Sequence, residues 1–415
     1  MLDGILGFSK SLQPRHLIDE YNPSIGLSEF LGLELSYLIF NKAYIGLQKK
    51  YFSCFSGIGG LEGSQVAAGY CEIDPAARKV LSTRFPDAPL YSDIRQVTSV
   101  DADVVVGGWP CQDISIAGKG RGLQGANSGL FYELLRLARN SGATTVVAEN
   151  VSNVLRLDDG HVFREILSEF SKSGFANISW RMLNARQFGL PHHRNRVFFI
   201  ASKDPDIPLS IFRKPSVAQV TGSLEPVAGF YWTAGTHSIN YSKGYVPTIK
   251  VGSSLSIPSP PAIHYRDHVR LLSPHEALTL QGFDDIDVSL IKSGNAYRFA
   301  GNAVAAPVGR FVVDGVLQKQ LPDALRVSSQ LSLLRGSFLE ESGSVPATGL
   351  FDGELTEVEV DELDLAGNLA HFIDFESNAE LSTRAASGLL ARLDRSNTFC
   401  PPELRAVLTL LSSQD

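Results

Sequence analysis

The stretch from Val104 to Ser115, VVVGGWPCQDIS, constrains the fold more than any other part of the chain. Its β-branched run, Val104 to Val106, predicts a fully buried strand, and the two glycines that follow predict the end of that strand. Pro110 then fixes the backbone just before Cys111. We therefore expect Cys111 on a loop at the carboxyl end of a strand, where α/β sheets bind ligands and neighbouring groups can acidify a thiol. The alternative is a small buried hydrophobic residue, as most isolated cysteines are.

Length and cysteine content narrow the class of protein. A chain of 415 residues with 44% hydrophobic content can form two or three domains with buried cores. Four cysteines without a CxxC spacing argue against a disulfide framework and against a zinc site, so we expect no metal. Since no signal peptide and no membrane-spanning apolar run is visible, we expect a cytoplasmic protein without a membrane partner.

The net charge of −7 is unevenly distributed. Residues 321–415 contain 6 arginines, no lysine and 16 acidic residues, a net charge of −10, whereas residues 1–320 carry +3. A mildly basic body is compatible with phosphate contacts but does not by itself indicate them. We expect residues 321–415 to be an acidic C-terminal extension of helices, with a hairpin as an option, loosely docked and without a part in chemistry or recognition.

Strands and helices alternate after residue 50, which predicts an α/β fold with a mostly parallel sheet. The predicted strands are Tyr51–Phe55, a short strand that includes Glu72, a short strand before Ser92, Val104–Val106, Thr144–Ala148, Ile178–Ala185 and Val197–Ala201; the predicted helices are Leu61–Ala68, Ala76–Arg84, Leu130–Arg139, Val162–Ser171, Pro274–Gln281 and Val308–Gln318. Residues 1–50 predict a helical N-terminal extension. From residue 203 the pattern dissolves into proline, glycine, serine and aromatic residues, which predicts a small, loop-rich second domain.

Three strand ends suggest one nucleoside-sized site. The glycine-rich turn from Ser56 to Gly60 follows the first strand and lets a ligand approach the backbone closely. Glu72 lies on a short second strand, where a carboxylate can bind both hydroxyls of a ribose, and Asp93 follows the third. Either acid alone could be a solvated loop carboxylate, so the prediction depends on their common edge.

Further reactive groups are expected at the same edge of the sheet. Glu149 ends the strand Thr144–Ala148. The loop from Ala117 to Asn127 contains four glycines together with Lys119 and Arg121, which predicts a positively charged flap over the site. Arg194 and Arg196, at a spacing of two, would project to the same side of an extended backbone. A phosphate or surface role is the alternative for this arginine pair.

In this order, the motifs resemble those of the DNA cytosine-5 methyltransferase family, over about residues 51–316. The matching segments are Phe55–Gly60, Glu72–Asp74, Asp93–Ile94, Gly108–Gln112, Glu149–Val151, His192–Arg196, Arg270–Phe283 and Gly301–Val304. Three positions depart from the family pattern: Ser53 replaces an aspartate, His192 a glutamine and Ala303 a serine. None of them removes a catalytic group, and we expect Ser53 only to weaken a packing or loop-anchoring contact.

The resemblance implies a Rossmann-like methyltransferase sheet over residues 51–202, completed by residues 293–320, with a target-recognition domain over 203–292. It implies methylation of carbon 5 of cytosine in a specific sequence of double-stranded DNA, with S-adenosyl-L-methionine as cofactor and the target base flipped out of the duplex. Recognition would reside in residues 203–290.

The resemblance also implies roles for individual residues. Cys111 would add to carbon 6 of the base, Glu149 would share a proton with ring nitrogen 3, Arg196 would contact the ring carbonyl and Arg194 would support the pocket. The cofactor-binding residues would be Phe55, Gly57, Ile58, Gly60, Glu72, Ile73, Asp93, Ile94, Pro110, Leu130, Asn302 and Ala303. The candidate DNA contacts are Gln112, Ser115, Lys119, Arg121, Arg266 and Arg270.

Other functions fit parts of the sequence. The same chemistry on transfer RNA stays open, because a relative of this family methylates that polymer and a variable region of roughly 60 residues is short for a DNA reader. A dinucleotide-dependent oxidoreductase could use the same sheet, but the chain lacks a full G-x-G-x-x-G, and both this class and a DNA protein without chemistry leave Cys111 and Glu149 unexplained. We further expect a monomer encoded by a bacterium or phage, with a cognate restriction endonuclease as a candidate partner.

Overall fold

The computed structural model describes residues 49–65, 67–110, 129–215, 226–234, 237–252, 260–323, 326–332, 342–345, 354–359, 368–377 and 380–413. The helices predicted within residues 1–48 and the flap predicted over residues 117–127 lie outside these ranges. The α-helices are α1 (Pro75–Arg84), α2 (Leu130–Asn140), α3 (His161–Lys172), α4 (Pro274–Thr279), α5 (Ser293–Asn302), α6 (Ala306–Leu317), α7 (Thr383–Ser396) and α8 (Pro402–Ser412). Within the described part of the chain, none of them is long and apolar enough to cross a bilayer.

The central sheet begins with seven strands from the first half of the chain. These are β1 (Tyr51–Cys54), β2 (Gly69–Cys71), β3 (Leu90–Tyr91), β4 (Val104–Gly108), β5 (Thr145–Val151), β6 (Asn177–Asn184) and β7 (Asn195–Ser202). They lie in the order β3-β2-β1-β4-β5-β7-β6, and all neighbours from β3 to β5 are parallel. Strand β7 lies between β5 and β6 and is antiparallel to both, so β6 has the same direction as β5. The predicted α/β class with a mostly parallel sheet is confirmed.

Helices cover both faces of this sheet. Val105 and Val146 pack on one face with the apolar sides of α2 and α3, whereas Val104 and Val106 pack on the other with α6. Successive side chains of a strand point to opposite faces, so a continuous valine run is buried only where both faces are covered. This arrangement places the carboxyl ends of β1, β2, β4 and β5 along one edge.

A second, smaller sheet lies within the segment predicted as loop-rich. Its strands are β8 (Val227–Phe230), β9 (Ser242–Lys243), β10 (Ala262–Tyr265) and β11 (His268–Leu271), antiparallel in the order β11-β10-β8-β9. The chain then returns through α4, whose N-cap Ser273 forms a capping box with Glu276. Helix α5 was not predicted, since serine, glycine and asparagine at its ends are weak helix formers.

The acidic tail adds strands to the central sheet and packs its helices against the small sheet, so the expectation of a loosely docked tail is wrong. Its strands β12 (Arg326–Ser332), β13 (Ser342–Val345) and β14 (Glu354–Glu359) extend the central sheet, with β13 antiparallel to β6. Helices α7 and α8 bury Leu389, Leu393, Leu404 and Leu408 in one cluster with Phe230 of β8. Leucines one turn apart form an apolar stripe on each helix, and burying those stripes holds the tail in place.

The described positions of residues 61–68, predicted as a helix, form none. The Glu62 carboxylate accepts hydrogen bonds from the hydroxyls of Ser53 at 3.0 Å and Tyr51 at 3.2 Å. The backbone N–H of Ser64 donates to Asp314 Oδ1 of α6 at 2.7 Å. These long-range contacts take the place of the local hydrogen bonds on which the helix prediction depended. They also show Ser53 anchoring the segment after the glycine turn.

Candidate active site

A cavity of about 330 Å³ lies at the carboxyl edge of the parallel strands. Its size is typical of small-molecule sites. The turn after β1, the residue after β2, the ends of β4 and β5, and the link between α5 and α6 all contribute to its wall. The sequence-predicted residues that line it are Phe55, Gly57, Ile58, Gly60, Glu72, Pro110, Glu149, Arg196, Asn302 and Ala303. The structure therefore brings most of the predicted site together.

The glycine-rich turn is held from two sides. The backbone N–H groups of Gly57 and Asp74 each donate to a different oxygen of Glu72, both at 2.8 Å. On the other side, the Arg84 guanidinium donates to the carbonyls of Ile58 and Gly59. Gly57 itself has a φ of +57°, in the left-handed region that favours glycine. The Glu72 carboxylate is thereby oriented beside the turn and at the cavity wall.

Helix α6 and the link before it pack directly on this turn. A Cβ on Gly60 would lie 2.1 Å from the carbonyl oxygen of Val304, and a Cβ on Gly309 would lie 2.0 Å from the carbonyl oxygen of Gly60. Neither distance is possible for real atoms, so both positions require glycine. This close approach is how residues from the end of the catalytic segment complete a site begun near residue 55.

Glu149 is the buried acid of the cavity. Its Oε1 lies 3.0 Å from Arg196 Nε, and the register of β5 on β7 sets Val151 opposite Arg196. Burial raises the pKa of Glu149 above its usual value, against the charges of Arg196 and Arg194, which lower it. Burial therefore makes this carboxyl easier to protonate than an exposed one.

Gly108 makes room for that carboxylate. Strand β4 continues through Gly107 and Gly108, which were predicted to end it, and Gly108 pairs with Glu149. A Cβ on Gly108 would lie 2.6 Å from Glu149 Oε2. Gly108 therefore allows the Glu149 carboxylate to approach β4 closely and does not end the strand. The parallel register of β4 and β5 was the signal that could have revealed this role.

Asn150 holds the backbone that leads to Cys111. Its Nδ2 donates to the Trp109 carbonyl at 3.2 Å, and its Oδ1 accepts from the N–H of Val151 at 2.8 Å. The Trp109 ring packs against Phe131, with centroids 5.0 Å apart. Cys111 lies outside the described residues, and Gln112, Ser115, Lys119 and Arg121 do as well. Their roles stay predictions.

Arg194 lies behind the cavity rather than in its wall. It is buried and donates to the carbonyls of Gly301 at 2.9 Å, Ala303 at 2.6 Å and Ile249 at 3.2 Å. The adjacent His192, also buried, accepts the backbone N–H of Ile249 on Nε2 at 2.9 Å. Arg194 thus ties the start of β7 to the α5–α6 link and to the backbone at Ile249.

The remaining predicted cofactor residues lie outside the cavity wall. Ile73 is largely exposed, and Ile94 and Leu130 pack in or against the core. Asp93 caps the turn that follows it and pairs with Arg95 at 2.7 Å. A pair that the sequence did not suggest, Asp74 with Arg298 of α5, does line the cavity. It was missed because helix α5 itself was missed.

The two arginines predicted to contact DNA differ in burial. Arg270 is 1% exposed, with Nη2 2.6 Å from Glu276 Oε1 and donating to the Asp374 carbonyl at 2.7 Å. The prediction that Arg270 contacts DNA is therefore wrong in this structure, because its charge is sealed in an internal pair. Arg266 is exposed in the turn between β10 and β11, where a contact stays a prediction.

Residues 50–225 match the family model of C-5 cytosine-specific DNA methylases. The chain is also 35% identical over 298 residues to the type II methyltransferase M2.BsuMI of Bacillus subtilis (strain 168), an alignment that covers 65% of this chain and 75% of the relative. The chain belongs to the C-5 cytosine-specific DNA methylase family, whose members are DNA cytosine-5 methyltransferases. The family resemblance inferred from the motifs is confirmed.

A second type II methyltransferase is similar to this chain at lower identity. The type II methyltransferase M1.ScrFI of Lactococcus lactis subsp. cremoris is 28% identical over 305 residues, covering 65% of this chain and 78% of the relative. Among solved structures, the chain is similar to the crystal structure of S. pombe Dnmt2 methyltransferase. The match covers 66% of this chain and 99% of the Dnmt2 chain, with 14% identity and a TM-score of 0.47. Methyltransferases of this family generally use S-adenosyl-L-methionine.

Proposed function

We propose that this enzyme transfers a methyl group from S-adenosyl-L-methionine to carbon 5 of a cytosine within a specific sequence of double-stranded DNA. Family membership supports the class of reaction. The observation that carries the proposal to this chain is Glu149, a buried carboxyl of raised pKa that faces the cavity and pairs with Arg196. It lies opposite Gly108, three residues before the proposed nucleophile, Cys111.

The residues around the cavity fit the methyl donor. Bound in the cavity, S-adenosyl-L-methionine would supply a methyl group activated by a sulfonium sulfur. The oriented Glu72 carboxylate suits the two hydroxyls of its ribose. Gly57 lines the cavity, and a Cβ on it would meet no protein atom within 4 Å, so the space above the turn is open to a ligand. Phe55, Ile58, Asn302 and Ala303 supply further wall.

Cys111 is the proposed nucleophile because carbon 5 of cytosine is too weak to attack a methyl group by itself. Addition of the Cys111 thiolate to carbon 6 forms a carbon–sulfur bond and makes carbon 5 electron-rich. After methyl transfer, carbon 5 gives up its proton and the sulfur leaves carbon 6, which restores the ring. Asn150 and the packed Trp109 ring hold the backbone that enters this position.

Glu149 is the proposed acid, since addition at carbon 6 places negative charge on ring nitrogen 3. A protonated Glu149 can share its proton with that nitrogen. Arg196, beside it, is proposed to contact the ring carbonyl, and Arg194 to position the strand from which Arg196 projects. The target base must leave the duplex to reach these groups.

We propose that residues 51–202 and 293–320 carry the catalysis and that residues 203–292, with the small sheet, read the DNA. Lys119, Arg121 and Arg266 are proposed to contact phosphates or bases, and Gln112 and Ser115 to contact the flipped nucleotide. Residues 1–50 precede these domains in the sequence, and residues 321–415 follow them. A cognate restriction endonuclease is the proposed cellular partner, in line with the type II methyltransferases to which the chain is similar.

Bisulfite sequencing of DNA and of transfer RNA from cells expressing this chain tests the proposal. We expect methylated cytosines within one recurring DNA sequence and an unchanged transfer RNA. Methylation confined to RNA would refute the choice of polymer, and methylation of neither would refute the reaction.

An oligonucleotide with 5-fluorocytosine at the methylated position tests the nucleophile, because fluorine cannot leave carbon 5 as a proton does. We expect a denaturant-stable complex with the wild type and none with Cys111→Ser. Cys400→Ala is the matched control, since Cys400 is buried among the tail helices and should leave the trapped yield unchanged. Equal trapping by Cys111→Ser would remove Cys111 from the mechanism.

A further inference from the structure

A second cleft, of about 600 Å³, lies between the small sheet and the loop that joins α7 to α8. Aromatic rings make up much of its wall. They belong to His193, Tyr231, His237, Tyr241, Tyr245 and Phe399. Walls of this kind present flat ring faces together with polar edges, which suits a planar ligand that also forms hydrogen bonds. We call this feature the aromatic cleft.

The tyrosine rings of the aromatic cleft are held in place by the fold. The Tyr231 hydroxyl donates to the Thr248 carbonyl at 2.7 Å, and the Tyr241 hydroxyl lies 2.7 Å from His264 Nδ1. The Arg186 guanidinium lies 3.9 Å from the centroid of the Tyr245 ring. Rings that are already ordered lose little freedom when a ligand binds, so the cleft is prepared for a ligand.

Phe399 is the tail's contribution to the aromatic cleft. The residue is 78% exposed, although both of its neighbours are anchored. Before it, the N–H of Thr398 donates to the Leu393 carbonyl at 3.2 Å, and after it Cys400 is buried among the tail helices. The loop therefore presents a large apolar ring to solvent in one position, at the rim of a cleft of other rings.

Positive charge lies on one side of the aromatic cleft. Lys250 is exposed there, with its Nζ 4.1 Å from the centroid of the Tyr231 ring. On the tail side Glu403 lies close to Tyr241. We therefore expect a polyanion such as the DNA backbone to pass the aromatic cleft on the side of Lys250. His193 begins the short segment that leads to Arg196, so the cleft adjoins the strand that carries part of the active site.

We propose that the aromatic cleft takes up a base of the DNA that has left the duplex stack, held against the ring of Phe399, and that Phe399 thereby contributes to the binding of DNA. Bases stack on aromatic side chains irrespective of their identity, and the ring nitrogens of His193 and His237 can then select a base edge. The inference rests on the proposed function. It gives the tail a part in DNA recognition. The sequence predicted no such part for residues 321–415.

Phe399→Ala tests the proposal in the full-length enzyme. The site methylated by the wild type is first mapped by bisulfite sequencing, and duplexes containing it are then used in steady-state assays. Loss of one stacking partner should raise KM for DNA about 5- to 150-fold. We expect kcat and the cofactor Kd to stay within about twofold. Leu410→Ala, which removes an exposed apolar side chain of α8 outside the cleft, is the matched control and should keep the wild-type KM.

The ring itself is tested by Phe399→Trp and Phe399→Leu. The tryptophan variant should keep a KM near that of the wild type, whereas leucine, which has no ring face, should behave like alanine. In duplexes with 2-aminopurine at successive positions of the site, Phe399→Ala should increase the fluorescence at one position, because the base there loses its stacking partner.

Two results would overturn the inference: a KM for Phe399→Ala equal to that of the wild type, or a leucine variant that binds DNA as the wild type does. Failure of the proposed function is distinguishable, because then the wild type itself leaves DNA unmethylated. If the wild type methylates DNA and the Phe399 variants bind DNA as the wild type does, only the inference about the aromatic cleft is refuted.

Discussion

Two regions of the molecule each contain a buried arginine–glutamate pair, and the pairs differ in how completely the carboxylate is bound. Glu276, between the small sheet and the tail, accepts two hydrogen bonds from Arg270 and one each from the N–H groups of Ser273 and Asp374. Glu149, at the catalytic edge, meets Arg196 through one oxygen and lines the cavity.

The difference separates a structural carboxylate from a reactive one. Four donors offset the desolvation of Glu276, and they leave its charge paired inside the protein. Fewer donors offset the desolvation of Glu149. Burial therefore raises its pKa and leaves it able to exchange a proton. Burial alone therefore does not identify a catalytic acid in this enzyme. The number of donors and the contact with a cavity distinguish Glu149, the proposed acid, from Glu276.

Glu149→Gln should have the largest effect. The amide keeps the shape of the side chain but has no acidic proton, so methyl transfer should slow by about 10²- to 10⁴-fold with unchanged cofactor affinity. Because only a protonated Glu149 can donate, the wild-type rate should fall as pH rises through its raised pKa, and the variant should lose this dependence. Single-turnover rates across pH measure both effects. A variant within twofold of the wild type would assign the proton to another group.

Glu276→Gln should destabilise the protein without slowing the chemistry. Removing one partner of a sealed pair leaves the Arg270 charge uncompensated, at a cost of about 3–5 kcal/mol in the free energy of unfolding. Denaturant titration measures the loss, and the rate per folded molecule should stay near that of the wild type. Glu169→Gln, which removes the surface partner of Lys172, is the control and should cost less than about 1 kcal/mol. If Glu276→Gln slowed methyl transfer as much as Glu149→Gln, the distinction between the two pairs would fail.

Glu62 sharpens the comparison, because two hydroxyls and no arginine contact its carboxylate. Burial raises its pKa from 4.5 to about 8. Between these values the unfolded chain ionises while the folded protein keeps the proton, so the wild type loses stability as pH rises through this window. Glu62→Gln cannot ionise. Its advantage in the free energy of unfolding should grow between pH 4.5 and pH 8, by up to about 4 kcal/mol. A difference that does not change with pH would contradict the assignment.

Much of the site could be predicted because its signals are local. The valine run of β4 and the residues after β1, β2 and β5 were enough to gather Gly57, Glu72 and Glu149 at one edge, since parallel strands end on the same side of a sheet. Helix α5 escaped prediction because its serine, glycine and asparagine residues have weak helix propensity. It forms where Phe299 and Ala300 are buried, and its end passes so close to Val251 that only Gly301 fits.

The sequence by itself determined the family, the α/β order and the identity of the acid beside the cavity, because motif, strand period and parallel topology act over short stretches of chain. Only the tertiary structure decided what each charged or apolar group faces. Arg270 is sealed because Asp374, 104 residues away, supplies a carbonyl to it. The tail is docked because its leucines meet Phe230. The partners of a buried group come from segments distant in the chain, so no local pattern can specify them.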